Sequence, residues 1–228
     1  MNQIYINGCS FTRDIHVSYE LGHKLYSDYL SDHYTIPVIN HGLPGSCNRR
    51  IIRSTLRDVL NYDSRTFVIV QLTFLERFQK SAEKNHWQFG DLFVSENKEI
   101  LQSIKAFDPN NTDIENQYIE MILKNNSSAV LFDELMIDIL MLTYVLKSKN
   151  IPYLIYIHPN IIDHSQVHES DFYKLVSNDP SVKLEPMSHL LNAQNYYYDG
   201  LYNHLNQSGH KKLSELLIKL INSTNKRN

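Results

Sequence analysis

Gln3-Ile4-Tyr5-Ile6, followed by Asn7-Gly8-Cys9-Ser10-Phe11-Thr12, is the stretch that decides the fold. The first four residues form a short apolar run of β-branched and aromatic side chains, the pattern of a buried strand. The run stops at Asn7-Gly8, where glycine lets the backbone turn sharply without steric cost. Ser10 then stands just past the carboxyl end of the strand. In an open α/β sheet, ligands bind along that edge. A serine placed there either caps the next helix or acts as a nucleophile, and the second role requires a base and an oxyanion site.

Working outward, the same alternation recurs. Thr35 to Asn40 is expected as a second strand, and Thr66 to Leu72 as a continuous apolar strand buried on both faces. Pro152 to Ile157 follows as a fourth strand and Val182 to Leu184 as a short fifth. Helical spacing is read over Val17 to Leu30, Cys47 to Leu60, Asp113 to Lys124, Ser128 to Lys149 and Asn206 to Asn222. Strands alternating with helices imply βαβ units, and so a mainly parallel sheet with helices on both faces, an α/β fold. Residues 1–222 are expected as one domain and 223–228 as a disordered tail. The weakly periodic stretch 74–111 is expected as a lid or insertion.

Composition narrows the function. The chain has 228 residues, 42% of them hydrophobic, enough for a sizeable core. A net charge of −3 gives no general attraction to nucleic acid or to anionic membranes. The most apolar stretch, Ala129 to Leu146, is interrupted by Asp133, Glu134 and Asp138 and is expected as a core helix, not a membrane span. No basic start or cleavage site precedes the first strand. Cys9 and Cys47 suggest two free thiols in a reducing compartment. A cytoplasmic location is the expectation.

Every loop that follows a strand opens on one edge. Those loops carry Ser10, Gly45, Thr73 and His158, and the segment with Asp199 and His204 can reach the same edge. His204 is the candidate base, just ahead of the last helix, with Asn206 as that helix's cap. His210 falls inside the helix, where packing accounts for it. Gly45 offers a backbone amide, and Asn48 and Thr73 offer side-chain donors, for an oxyanion. Capping accounts equally for Asn48, and strand-end hydrogen bonding for Thr73. Arg77 is either half of a solvated ion pair with Glu76 or an anchor for an anionic substrate group. Tyr202, with Tyr196, Tyr197 and Tyr198, flanks the His204 loop as core, as rim, or as an aromatic face for a sugar or acyl chain. His158, His164 and His168 lack a supporting carboxylate pattern, so no metal is expected. Cys9 has no cation beside it to activate its thiol.

Together these blocks resemble the SGNH (GDSL-like) hydrolase superfamily, and in particular a microbial and phage branch of it. Gly8-Cys9-Ser10-Phe11-Thr12 resembles the first block, Asn40 to Ser46 the second, and His204-Leu205-Asn206-Gln207-Ser208-Gly209-His210 the last. The resemblance implies a three-layer α/β/α, flavodoxin-like fold. It implies a serine esterase or acyltransferase with no cofactor, acting on a small-molecule or carbohydrate ester, with Ser10 as nucleophile, His204 as base and Asp199 orienting the base. Gly45, Asn48 and Thr73 would hold the oxyanion, and Arg77 and Tyr202 would touch substrate. Three departures stand out. Cys9 replaces the usual Asp. Gln71-Leu72-Thr73-Phe74 replaces a Gly-x-Asn-Asp block, so the donor Asn is missing. Asp199 lies five residues before His204, where three is usual. A module that keeps the fold, has lost turnover and binds a glycan or small molecule, and a phosphate or nucleotide binder, are the alternatives; the single glycine of the first loop argues against the latter. The oligomeric state is left open.

Overall fold

The structure, a computed structural model, describes residues 1–13, 22–44, 46–73, 75, 77–80, 90–93, 128–157, 170–187, 191, 196 and 204–225. Five parallel strands form the central sheet: β1 (Gln3–Asn7), β2 (Val38–Asn40), β3 (Thr66–Leu72), β6 (Tyr153–Ile157) and β7 (Val182–Lys183). Their order is β2-β1-β3-β6-β7. The chain therefore leaves β1 toward one side for β2 and returns on the other side as β3. Strand order reverses between β1 and β3, the kind of crevice where α/β folds bind ligands.

The period of two along each strand builds two cores. Tyr5, Val68, Val70, Leu72, Ile155 and Ile157 face α2 (Asn48–Val59) and α3 (Ser128–Ser148). Ile4, Ile6, Phe67, Ile69, Leu154 and Tyr156 face α1 (Tyr26–Tyr34) and α5 (Gln207–Asn225). All seven residues of β3 are buried, as expected of a central strand covered on both sides. A fourth helix, α4 (Asp171–Ser177), packs beside α3. No helix among the described residues is long and apolar enough to cross a membrane.

The sequence pattern places most elements correctly and misplaces three boundaries. The first helix, expected over Val17 to Leu30, is Tyr26–Tyr34 in its described part, residues 17–21 lying outside the described ones. Gly22 adopts φ +63°, and the Asp28 carboxylate accepts the Leu25 N–H at 2.8 Å, which starts the helix there. Thr35, expected to open β2, caps that helix in a left-handed conformation instead, and β2 shrinks to Val38–Asn40. The last helix runs to Asn225, three residues into the expected tail. Within 74–111 the described part is an antiparallel ribbon of β4 (Arg77–Lys80) and β5 (Gly90–Phe93). The helix expected over Asp113 to Lys124 lies outside the described residues.

The turn after β1 has no room to spare. A Cβ on Gly8 would overlap the Thr12 hydroxyl and lie 2.8 Å from Gln71 Oε1 and 2.9 Å from Gln71 Cβ. Gly8→Ala is therefore expected to cost about 2–3 kcal/mol through overpacking, read as a lowered midpoint in urea denaturation. A loss below about 0.5 kcal/mol would mean that the turn relaxes freely.

Candidate active site

Ser10 sits in the turn that closes β1. Thr12 N–H and Arg13 N–H both donate to Cys9 O, at 2.9 and 3.2 Å, which curls the chain back on itself. The curl is held from below by Gln71 of β3. Its Oε1 accepts the Thr12 hydroxyl at 2.7 Å and the Cys9 N–H at 3.4 Å, while its Nε2 donates to Leu72 O at 2.6 Å. Thr12 in turn accepts the Tyr26 hydroxyl at 3.2 Å. From the β2 side, Asn40 Nδ2 donates to Thr12 O at 2.9 Å, and Leu43 N–H donates to Gly8 O at 3.0 Å. Asn7 anchors the strand end to α2, with its Nδ2 2.9 Å from the Thr55 hydroxyl. Buried polar groups tied this densely specify one backbone path.

His204 arrives from the far end of the chain. Its Nε2 lies 2.9 Å from Ser10 Oγ, across a sequence separation of 194. The contact is partly buried, with Ser10 8% exposed. The imidazole also stacks on the Phe11 ring, centroids 5.0 Å apart and 24° between planes. The start of α5 fixes the approach. Asn206 Oδ1 accepts the Gly209 N–H at 3.0 Å, capping the helix, and Asn206 N–H donates to Tyr196 O at 2.9 Å. A Cβ on Gly209 would overlap that same carbonyl. A serine hydroxyl within hydrogen-bond distance of a partly buried imidazole nitrogen is the pairing that activates a nucleophile.

Asn48 and Thr73 are joined to each other. Thr73 N–H donates to Asn48 Oδ1 at 2.7 Å, and Asn48 Nδ2 donates to Thr73 O at 2.9 Å. The Asn48 carboxamide thus extends β3 by one residue as a backbone partner would. Thr73 Oγ1 is buried and finds no partner among the described residues. The register Asn7↔Val70 sets Ser10 and Thr73 each three residues beyond the last β1–β3 pair. Gly45, Asp199 and Tyr202 lie outside the described residues. Arg77 opens β4, paired with Phe93. Cys9 is buried with its Sγ 3.6 Å from Gln71 Oε1, and neither cysteine is in a disulfide.

Two contributors escape a sequence reading. Phe11 is a neighbour of Ser10 in sequence, but its stack on His204 is a long-range contact that no local pattern announces. Gln71 reads as one residue of an apolar strand, although a lone carboxamide in such a run is itself a signal of a buried hydrogen-bonding role. His210, expected to pack inside the last helix, does so: it is buried against Tyr26, rings 6.2 Å apart, with Nδ1 unpartnered among the described residues. Burial, reinforced by the nearby His204 and His23, lowers its pKa to about 4. Burial also pushes the Tyr26 phenol up to about 12.

No family model matches the sequence, and no curated protein matches it at the sequence level. Solved structures do match the fold. TesA gives a TM-score of 0.52 over 97% of this chain and 99% of its own, at 8% identity. The protein YXIM of Bacillus subtilis gives 0.51 over 98% of this chain and 57% of its own, at 16% identity. A member of the lipolytic G-D-S-L family from Veillonella parvula gives 0.49 over 95% and 96%, at 10% identity. At such identities the likeness is one of fold.

His210 gives a pH signature. The folded state keeps this imidazole neutral down to about pH 4, whereas an unfolded chain protonates it near 6.5. Its contribution to stability is complete above about pH 6.5 and is lost as the pH falls toward 4. Between pH 7.5 and 5 the loss is about 2 kcal/mol. His210→Phe keeps an aromatic ring against Tyr26 and removes the titration. Urea denaturation at both pH values should show the wild type losing about 2 kcal/mol more than this variant; equal losses would contradict a buried neutral His210.

Proposed function

We propose that this chain, which has the fold of the SGNH hydrolases, is a serine hydrolase of ester bonds. The observation that carries this reading is the 2.9 Å contact between Ser10 Oγ and His204 Nε2. On this reading His204 Nε2 takes the Ser10 proton as Oγ attacks the ester carbonyl carbon. The carbonyl oxygen becomes an oxyanion, received by the amides of Ser10 and Gly45 and by the Thr73 hydroxyl. The imidazolium then returns its proton to the departing alkoxide, the C–O bond breaks, and an acyl-Ser10 ester remains. A water molecule, deprotonated by His204, releases the acid; a sugar hydroxyl in its place would make the same site an acyltransferase. Asp199 orients His204, and Phe11 supports the ring from its face. Arg77 and Tyr202 belong to the substrate rim, with an O-acetyl group on a carbohydrate as the substrate class to try first.

In this scheme Asn48 is a positioning residue. Its clasp on the Thr73 backbone fixes the residue that stands where the SGNH pattern has a donor Asn. The buried, unpartnered Thr73 Oγ1 supports Thr73 as the replacement donor, since a buried hydroxyl without a partner is costly unless something fills the role in the reaction. The same replacement of Asn by Thr, with the displaced Asp199, favours the second reading, a binder of a glycan or small molecule without turnover.

Steady-state hydrolysis of p-nitrophenyl acetate separates the two. Wild type should turn over above background, and Ser10→Ala and His204→Ala should fall to it. Thr73→Val should lower kcat about 10²-fold with little change in KM, the loss of one oxyanion donor, while Thr73→Asn should retain activity. Equal rates for wild type and His204→Ala would leave only the binder.

A further inference from the structure

The helix α3 carries apolar side chains on its outer side as well as its inner one, more than the polar outer face of an ordinary surface helix. Its inner side, Phe132, Leu135, Met136, Ile139, Leu142 and Leu146, is buried in the core. Its outer side is left uncovered by the described residues. Val130 is 45% exposed, Ile137 39%, Met141 55% and Tyr144 75%. Among the described residues eight large apolar side chains are exposed, and six of them lie on α3 and the adjoining α4, the other two there being Phe172 and Leu175. The remainder of the described surface is nearly free of such groups, so this face is a single patch.

The spacing of the patch says what fits it. One exposed row along α3 reads Val130, Glu134, Ile137, Met141, Tyr144 and Ser148, steps of four and three in alternation. That is the seam of a coiled coil, apolar at four of its six positions. We propose that two copies of this chain associate through α3, antiparallel, about a two-fold axis beside Ile139.

The seam's own chemistry selects a second copy and sets its direction. In the antiparallel register Ile137 packs on the partner's Met141, Val130 on the partner's Ser148, and Glu134 on the partner's Tyr144. The one carboxylate in the seam then meets the one phenol, which donates to it. Asp133 comes beside the partner's Lys147, whose side chain is 61% exposed while it holds Asp179 at 2.7 Å. A parallel pairing would set Glu134 against the partner's Glu134, a like-charge contact. Each pairing occurs twice, as a two-fold interface requires. Leu175 joins the seam across a groove of about 190 Å³ between Leu140, Thr143 and Val176. The six apolar side chains expose roughly 600 Å² per copy, and the polar groups of the seam bring the area close to the ~800 Å² per partner of a standard interface.

Sedimentation equilibrium on the full chain, from about 1 to about 100 µM, tests the proposal. Wild type should dimerise with a Kd in the micromolar range. Ile137→Lys combined with Met141→Lys should weaken association at least ~100-fold, with an unchanged circular dichroism spectrum and unchanged p-nitrophenyl acetate hydrolysis. Val130→Cys combined with Ser148→Cys should form an inter-copy disulfide on oxidation. Neither single variant should do so, because like positions lie about 27 Å apart in the antiparallel pair. A wild type that stays monomeric at about 100 µM would overturn the proposal. So would a dimer that survives the double lysine variant, or cross-linking by Val130→Cys alone.

Discussion

The contact between Ser10 and His204 depends on a carboxamide that touches neither. Gln71 stands on the central strand, fully buried, and holds the Cys9–Thr12 curl by the Thr12 hydroxyl and the Cys9 amide. A buried carboxamide of this kind must find partners or cost several kcal/mol. The arrangement of lowest energy is the one that draws the turn down onto β3. The rest of the turn follows: Gly8 because nothing larger fits, Asn40 and Leu43 because they close it from the β2 side. The nucleophile candidate is thus placed by the strand that lies next to its own, at the point where strand order reverses.

The second half of the pair is placed by a helix end. Asn206 and Gly209 cap α5 and press it against the Tyr196 carbonyl, and this determines where His204 leaves the loop. The layer behind the two residues is polar yet uncharged. His210 is neutral, and Tyr26 keeps its proton, both because burial penalises the charged form. Such a layer supplies hydrogen bonds that fix geometry without a second charge to compete with one forming on His204. The same logic explains the buried Asn48–Thr73 clasp. Positions are held by neutral groups that satisfy one another's hydrogen bonds.

Much of this is legible in the amino-acid order alone. The strands follow from apolar runs with their period of two, and the burial of β3 from an apolar run whose interior is broken only by Gln71. The Ser10 turn and the His204 approach follow from Gly8, from Asn206 and from the rule that strand-following loops share an edge. Other features are hidden, for physical reasons. The α1 boundary depends on a side-chain cap from Asp28 and a left-handed Gly22, both weaker signals than the apolar spacing that suggests an earlier start. The β4–β5 ribbon is built from residues of mixed polarity, so its period is masked. The roles of Phe11 and Asn48 come from neighbours 25 residues away or more, and no short window along the chain contains both partners.

The central claim is that Ser10 is made nucleophilic by His204. Intact mass and peptide mapping after treatment with a fluorophosphonate test it most directly. The account predicts one phosphonyl adduct per chain, on Ser10, formed by wild type and absent in His204→Ala. An adduct on another residue, labelling that survives His204→Ala, or no labelling of wild type would contradict it.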